Sequence, residues 1–404
     1  MWKVMMTIVA FCALAEARLN MMERMKLAFE YVQSNETLME MYRERVHMHQ
    51  MAVLKHNSRQ RRTTAASFLN NCVNSYQKSS TPPTSVNDLR PEDITIVAAL
   101  GDSLTAGNGI LGTNILDCMK EYRGRSWSIG GDESFQKGVQ TLPNILKLFK
   151  REGKYLQGAS LGLCDTSNLG CSIFNVAVAG QTSQELPAQA TELVTRLKST
   201  YFGVDYLNEW KIITLFIGGN DLCEYCHDTN KYSPDSYIAK INETLKILYD
   251  NVPKAFVNLV EIFDITPLAG VSQGFFCNLV TDMVCDCAKN NNNHDMLSII
   301  SKLYQTKTQN LISTGIYNDK SDFAVTLQPF FRDTTPVKTT TGAYDLNYFA
   351  PDCFHFSELG TYAAGKSLWN NMIEPIGMKQ TSWHLDGDFE CPPNTGPVFK
   401  TNRN

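Results

Sequence analysis

The stretch that decides the fold is ITIVAALGDSLTAGNG, residues 94–109. Its first part carries no charge and is rich in Ile and Val, as expected of a buried strand. Gly101, Asp102 and Ser103 follow at once, and glycine permits the backbone angles of a sharp turn. We therefore expect Ser103 to lie at the carboxyl end of a strand, where open α/β sheets form their ligand crevices. A serine there is a candidate nucleophile; the alternative is a turn whose serine only caps the next helix.

Beyond this stretch, runs rich in β-branched or aromatic residues alternate with runs of helical length and period. The strand-like runs are 94–100, 173–178, 211–217, 255–262 and 323–327. The helical runs are 183–199, 236–249, 294–313 and a last one that ends near residue 372. This alternation predicts an α/β fold in which helices cover both faces of a central parallel sheet, a three-layer α/β/α arrangement.

Candidate catalytic residues follow these strands. Gly180 comes after the second strand-like run and Asn220 after the third. Because the carboxyl ends of parallel strands share one edge of the sheet, Ser103, Gly180 and Asn220 can converge there. Near the C-terminus, Asp352 precedes His355 by three residues, so its carboxylate can reach the imidazole and fix its tautomer. Taken singly, each of Gly180, Asn220, Asp352 and His355 is more often a turn, capping or structural residue.

Taken in order, four short blocks resemble those of the GDSL (SGNH) hydrolases. They are GDSL at 101–104, the glycine of NVAVAG at 175–180, GND at 219–221 and DxxH at 352–355. The flanks are similar to the animal phospholipase B family, notably PTSV at 83–86, YRG at 122–124, SWSIGG at 126–131 and FDITPL at 263–268. The similarity extends from about Cys72 to Cys391 and implies the SGNH-hydrolase (flavodoxin-like) fold.

The resemblance also implies a mechanism that needs neither a metal nor another cofactor. Ser103 would attack an ester carbonyl, His355 would accept its proton, and Asp352 would orient the imidazole. The oxyanion hole would combine the backbone N–H groups of Ser103 and Gly180 with the side-chain amide of Asn220. The implied substrates are phospholipids and lysophospholipids, met at a membrane or micelle surface. Two alternatives stay open: an esterase for neutral lipids or acetylated sugars, and an inactive lipid-binding protein of the same fold.

A second serine motif competes with the first. GASLG at 158–162 fits the G-x-S-x-G elbow of another hydrolase fold. That motif requires a buried strand before it and a helix after it, whereas the charged REGK at 151–154 precedes it and a turn-rich loop follows. We therefore predict that Ser103, and not Ser160, is the nucleophile.

The N-terminus predicts an exported protein. Lys3, an apolar run over 4–14 and the small residues of Ala15-Glu16-Ala17 match a signal peptide cleaved after Ala17. The expected location is extracellular, with the lysosomal lumen as the alternative. Asn35 and Asn242 each begin an N-x-T motif and are candidate glycosylation sites on that route.

We divide the chain into a signal peptide (1–17), an N-terminal helical extension (18–78), a catalytic domain (79–391) and a C-terminal tail (392–404). In the extension, Met22, Met25, Phe29 and Val32 have helical spacing. RQRR at 59–62 fits a dibasic processing site, so residues up to 62 are a possible propeptide. No later segment is long and apolar enough to span a bilayer. The net charge of -4 shows no basic excess of the kind that binds nucleic acid.

The cysteines agree with export. Removing Cys12 with the signal peptide leaves eleven of the 12 cysteines, so at least one is free or pairs outside the chain. Zinc is the alternative explanation for the group formed by Cys223, Cys226, Cys285 and Cys287. Disulfides are favoured in a secreted chain. We expect two local pairs, Cys223 with Cys226 and Cys164 with Cys171.

Overall fold

The structure is a computed structural model that describes residues 27, 30–56, 66–151, 153–271, 275–383, 385, 387–393 and 398–404. Its strands are β1 (Ile94–Gly101), β2 (Trp210–Phe216), β3 (Ala255–Val260) and β4 (Phe323–Gln328). All three pairings are parallel and the strand order is β1-β2-β3-β4. The predicted central parallel sheet is therefore confirmed.

The α-helices whose bounds lie within the described residues range from single turns to nearly six turns. They are α1 (Glu36–His56), α2 (Ser103–Ala106), α3 (Leu142–Phe149), α4 (Leu169–Ser172), α5 (Leu186–Lys198), α6 (Gly219–Glu224), α7 (Pro234–Asn251), α8 (Leu268–Val271), α9 (Phe275–Val284), α10 (Asp286–Lys289), α11 (His294–Ser313) and α12 (Glu358–Ile373). The helical runs predicted after the second, third and fourth strand-like runs correspond to α5, α7 and α11.

The order of the strands explains how the helices divide between the two faces. The helices α5, α7 and α11 each lie between consecutive strands of a sheet that grows in one direction. Since parallel crossovers are right-handed, all three fall on the same face, where α7 packs against both α5 and α11. The last helix, α12, packs with α3 and meets the sheet where the Asn258 amide reaches the Met372 sulfur. The three-layer α/β/α prediction is thus confirmed.

The second strand-like run, 173–178, is not a regular strand. Ile173 ends α4 with a φ of 49°, which breaks the extended conformation. The rest of the run lies beside the outer edge of β1 and makes a single parallel bridge, from Asn175 to Ala99. The apolar pattern of this run reflects the burial of Phe174 and Val176. It does not indicate that these residues belong to a continuous strand of the sheet.

Several N-terminal predictions lie outside the described residues: the signal peptide, Met22, Met25, Phe29 and the 59–62 run. Val32 is helical and buried, and α1 follows it. Tyr42 of α1 accepts a hydrogen bond from the backbone N–H of Ile115 at 2.8 Å, so this helix contacts the loop after Ser103. No helix in the described part of the chain has the length and apolar character needed to cross a bilayer.

Four disulfides connect the described residues. They are Cys164–Cys171, Cys223–Cys285, Cys226–Cys287 and Cys277–Cys353. The predicted pair Cys164–Cys171 is confirmed, and the predicted pair Cys223–Cys226 is wrong. Cys223 and Cys226, at the end of α6, instead bond to Cys285 and Cys287 at the start of α10. These pairs form because α6 and α10 pack together, although about 60 residues separate them in the sequence.

Candidate active site

The turn after β1 is shaped by Gly101 and Asp102. Gly101 has a φ of +154°, and a Cβ there would lie 2.4 Å from the backbone oxygen of Phe216 on β2. Only glycine therefore fits. Asp102 then caps α2, since its Oδ1 accepts a hydrogen bond from the N–H of Leu104 at 2.9 Å. Together these residues set Ser103 at the first position of α2, at the carboxyl edge of the sheet.

Ser103 meets two residues that are far from it in the sequence. Its Oγ lies 2.8 Å from Nε2 of His355, and Nδ1 of His355 lies 2.6 Å from Oδ2 of Asp352. All three side chains are buried. The other carboxylate oxygen of Asp352 accepts the backbone N–H groups of Phe354 and His355, each at 3.0 Å. The Asp352 carboxylate is thereby fixed in the orientation that serves the imidazole.

Three buried carboxyl groups near Ser103, those of Asp352, Asp102 and Asp221, have pKa values shifted from the ordinary value of an aspartate. Burial alone would raise the pKa of Asp352, but the adjacent His355 and the hydrogen bonds it receives hold that pKa below its usual value. Burial raises the pKa of Asp102 to about 7, although the Leu104 N–H and the nearby His355 oppose it. Burial likewise raises the pKa of Asp221 to about 6, against the hydrogen bonds from Ser183.

Gly180 and Asn220 lie close to each other, because Asn220 bonds to the residue that follows Gly180. Asn220, near the start of α6, is only 7% exposed, and its side-chain amide donates to the backbone oxygen of Gln181 at 2.8 Å. Gly180 directly precedes Gln181 and has a φ of 77°, a conformation that favours glycine. The next residue after Asn220, Asp221, accepts the backbone N–H of Ser183 at 2.9 Å and so joins the two loops.

An apolar pocket opens from Ser103. Its lining includes Asn220 and a set of mostly aromatic and aliphatic side chains: Leu104, Phe263, Ile265, Leu268, Pro336, Phe349, Phe354, Phe356 and Trp383. Among the described residues that line it, the charged ones are Asp102 and Asp264. Sequence reasoning missed this lining, because most of its residues come from segments far apart. Local signals were Leu104, Phe354 and Phe356, which adjoin Ser103 and His355 in the sequence.

The loop that carries Asp352 and His355 has two further supports that sequence reasoning did not find. Cys353 is bonded to Cys277 of α9. Cys118 is a buried free thiol beside Asp352, and its pKa is raised well above the usual value by burial and by that carboxylate. Both cysteines were counted in the sequence, but nothing local in it indicated these contacts.

The rival serine lies in a different environment. Ser160 is completely buried, and its hydroxyl donates to the backbone oxygen of Arg123 at 2.8 Å. It does not belong to the pocket that Ser103 lines. The geometry therefore favours Ser103 of the two candidate serines.

One group of side chains resembles a metal site in composition: Cys226, His227, Asp286 and Cys287. Cys226 and Cys287 are bonded to each other, so neither can supply the thiolate that zinc prefers. The remaining pair, His227 and Asp286, is linked by a 3.0 Å contact and is about half exposed. This group fits a disulfide with a neighbouring hydrogen-bonded pair and does not fit a zinc site.

Comparison with known proteins agrees with this geometry. Residues 97–368 match the family described as GDSL-like lipase/acylhydrolase, and the chain belongs to that family. It is 42% identical over 337 residues to "Phospholipase B1, membrane-associated" of Homo sapiens, a match that covers 81% of this chain and 23% of that protein. The protein of the same name from Mus musculus is 40% identical, over 81% of this chain and 22% of its own length. The one from Rattus norvegicus is also 40% identical, over 80% of this chain and 23% of its own length. The chain thus spans less than a quarter of the length of these relatives.

Proposed function

We propose that the chain is a serine esterase that hydrolyses the fatty acyl esters of phospholipids and lysophospholipids, with Ser103 as its nucleophile. The observation that carries this proposal is the hydrogen-bonded series Asp352, His355, Ser103, whose serine lines an apolar pocket. The substrate class is suggested by the relatives named phospholipase B1. Family membership and pocket chemistry point to the same reaction, the cleavage of a lipid ester.

In the first half of the reaction, Nε2 of His355 accepts the Ser103 proton as Oγ attacks the acyl carbonyl carbon. Asp352 keeps the imidazole in the tautomer that presents a lone pair to Ser103, and it stabilises the imidazolium that forms. The imidazolium then donates its proton to the leaving alcohol oxygen of the glycerol backbone. The acyl group remains as an ester on Ser103.

The negative charge that develops on the carbonyl oxygen needs hydrogen-bond donors. We assign this role to the backbone N–H groups of Ser103 and Gly180 and the amide of Asn220. Asn220 has two amide N–H groups, and its bond to the Gln181 oxygen uses one of them. The second N–H is available to the substrate oxygen.

In the second half, water takes the place of the alcohol. His355 accepts a proton from that water, which attacks the acyl-Ser103 carbonyl, and the same donors bind the second oxyanion. Collapse of this intermediate releases the fatty acid and returns the proton to Ser103. No step requires a cofactor.

The pocket lining separates the candidate substrates. Its aromatic and aliphatic side chains suit a fatty acyl chain, whose burial is favourable by about 0.8 kcal/mol per methylene. An acetyl group would leave most of this surface uncovered, which argues against acetylated sugars as substrates. An inactive lipid-binding protein would need the apolar pocket, but it would not need the Ser103 to His355 hydrogen bond.

The test is to assay the wild type and a Ser103→Ala variant on a phospholipid, a lysophospholipid, a triglyceride and an acetylated sugar. We expect fatty acid release from the first two, lost in the variant. A Ser160→Ala variant serves as the matched control and should keep its activity if it folds. Serine-independent release, or release that depends on Ser160, would contradict the proposal, and no release from any substrate would favour a lipid-binding protein.

We also propose that the protein is secreted, with the lysosomal lumen as the alternative destination. Support comes from the four disulfides, which are typical of proteins that fold outside the cytosol. Asn35 and Asn242 are both exposed, as glycosylation would require. Mass spectrometry of secreted protein, with and without glycosidase, tests glycan attachment at both residues. Sequencing its N-terminus distinguishes cleavage after Ala17 from processing after Arg62.

A further inference from the structure

Gln189 of α5 occupies a position that the proposed mechanism has not used. Its side chain is only 5% exposed and lies against the last residue of β1. Oε1 of Gln189 accepts the backbone N–H of Gly101 at 2.9 Å, and Nε2 donates to the backbone oxygen of Gly101 at 2.8 Å. The primary amide thus pairs with both backbone groups of Gly101, as a neighbouring strand would.

The same amide reaches a second segment. Nε2 of Gln189 also donates to the side-chain oxygen of Gln181 at 2.6 Å, and the backbone oxygen of Gln181 accepts the Asn220 amide. Gly101 lies two residues before Ser103, and Gln181 lies one residue after Gly180. One side chain therefore connects the segments that carry Ser103 and Gly180, and the second of these segments is bonded in turn to Asn220.

We propose that Gln189 is a positioning residue that holds the Ser103, Gly180 and Asn220 donors in register. This inference rests on the proposed function, because it concerns the oxyanion hole of that reaction. The bonds of Gln189 are made to backbone and side-chain groups behind the hole, so it does not touch the substrate. Its effect is on the spacing of the donors, and a displacement of about 1 Å at such a site can cost about 10²-fold in rate.

The informative variant is Gln189→Leu, which keeps a similar volume and removes all three hydrogen bonds. We expect kcat to fall about 10- to 100-fold while KM changes less than about threefold, because the donors act on the transition state. Affinity for an alkylboronic acid, which forms a tetrahedral adduct with a serine nucleophile, should fall in parallel with kcat. A role in stability alone would lower the melting temperature without weakening boronate binding to the folded enzyme.

Two further variants sharpen the test. Gln181→Leu removes only the side-chain link and leaves the Gln181 backbone oxygen for Asn220, so we expect a smaller loss of kcat. Combining it with Gln189→Leu should give less than the product of the two effects, since both remove the same bond. The control is Gln305→Leu: Gln305 is similarly buried and donates to two backbone oxygens, those of Ile262 and Arg332, neither of which belongs to the segments of Ser103, Gly180 or Asn220.

The possible failures can be told apart. If Ser103→Ala and Asn220→Ala reduce hydrolysis but Gln189→Leu keeps its kcat and boronate affinity, the positioning role is wrong and the proposed function stands. If Ser103→Ala leaves hydrolysis intact, the proposed function itself fails. If Gln305→Leu loses as much kcat as Gln189→Leu, the effect is general to buried glutamines and the positioning role is also wrong.

A separate observation concerns two cysteines at opposite ends of the described chain. Cys72 is buried and Cys391 is exposed. Burial and, after it, the neighbouring Cys391 thiol raise the pKa of Cys72. Neighbouring groups hold both segments in place. The rings of Phe68 and Phe389 lie 4.9 Å apart, and the Trp369 indole N–H of α12 donates to the backbone oxygen of Glu390 at 2.9 Å.

We infer that Cys72 and Cys391 form a fifth disulfide when the protein folds in an oxidising compartment. The exposed Cys391 thiolate first attacks a disulfide oxidoreductase and forms a mixed disulfide, releasing one thiolate of that enzyme. The Cys72 thiolate then attacks the Cys391 sulfur and displaces the second. Two thiol protons are lost, and the oxidoreductase, reduced to a dithiol, takes up two electrons. This bond leaves Cys118 as the odd cysteine after Cys12 is removed.

Peptide mapping without reduction tests this inference on full-length secreted protein that has been unfolded and alkylated. We expect a linked pair of peptides that contains Cys72 and Cys391, with Cys118 alkylated. In a Cys391→Ser variant, Cys72 should become alkylated, whereas Cys118→Ser should leave the linked pair unchanged. Alkylation of both Cys72 and Cys391 in most wild-type molecules would overturn the inference.

Discussion

A disulfide joins Cys277 of α9 to Cys353, the residue that follows Asp352 and precedes His355 by two. Cys353 has a φ of 60°, so this loop passes through a left-handed conformation between its acid and its base. The bond anchors the middle of the loop to a helix that contributes neither residue. We therefore expect the alignment of Asp352 and His355 with Ser103 to depend on α9.

We expect replacement of both Cys277 and Cys353 by serine to lower kcat about 10- to 100-fold, because the loop is then free to shift by about 1 Å. The same change should reduce the free energy of unfolding by about 2–4 kcal/mol. Steady-state kinetics and urea unfolding measure the two effects. The matched control is the double serine variant of Cys164 and Cys171, a disulfide that touches no residue of the site; an equal loss of kcat there would contradict the expectation.

Asp352→Asn should lower kcat by about 10⁴-fold, since an amide favours the wrong imidazole tautomer while keeping the shape of the side chain. A kcat within about tenfold of wild type would argue against the assigned role.

The Asp352→Asn variant should also differ from the wild type in its stability in acid. The pKa of Asp352 is held below its usual value, so its ionised form stabilises the fold above about pH 4 and this stabilisation is lost as the pH falls further. The wild type should lose this part of its stability in acid and the variant should not.

Asn220→Ala should lower kcat by about 10² to 10³-fold with little change in KM, because the amide acts mainly on the oxyanion. Kinetics with a short-chain ester, which is soluble as a monomer, measure this without interference from lipid aggregation. Asn144→Ala is a suitable control: Asn144 is also buried and donates to the backbone oxygens of Asp132 and Val139. A rise in KM with unchanged kcat would instead indicate a role in ground-state binding.

Asp102→Asn should flatten the pH dependence of stability between about pH 4 and pH 7. Burial raises the pKa of Asp102 to about 7, so the folded state binds this proton more tightly than the unfolded state does. Its contribution is fully present below about pH 4 and is lost as the pH rises toward 7, at up to about 1.4 kcal/mol per pH unit. Asparagine can still cap α2 through its side-chain oxygen. Urea unfolding at pH 4.5, 6 and 7.5 provides the comparison, and parallel curves for the two proteins would refute the expectation.

Short-range patterns in the sequence predicted some residues of the candidate site, and the structure places those residues together. An apolar run followed by GDS predicts a serine at a strand end, and the spacing of Asp352 and His355 predicts an acid that can reach its imidazole. Long-range contacts were beyond such patterns. The pairing of Cys223 with Cys285 depends on α6 packing against α10, and Trp383 reaches the pocket only through tertiary folding.

Backbone geometry set a second limit on prediction. The 173–178 run has the composition of a strand, but the positive φ of Ile173 and the turn before it reduce its pairing to one bridge. Gln189 gave no signal either, because a glutamine on a helix is usually exposed. The role that we propose for Gln189 depends on its contact with Gly101, and hydrophobic periodicity cannot predict such a tertiary contact.

The charges that line the pocket have a consequence for the end of each turnover. In the proposed reaction, the ester that enters is uncharged at its reacting carbonyl, but the fatty acid that leaves ionises to a carboxylate. The described charged groups around it, Asp102 and Asp264, are both acidic, so a newly ionised product is repelled from the place where it formed. Expulsion should weaken when Asp102 takes up its proton near pH 7. Retention of the fatty acid by the enzyme should accordingly become stronger in mildly acidic surroundings, where the pocket would be slower to empty.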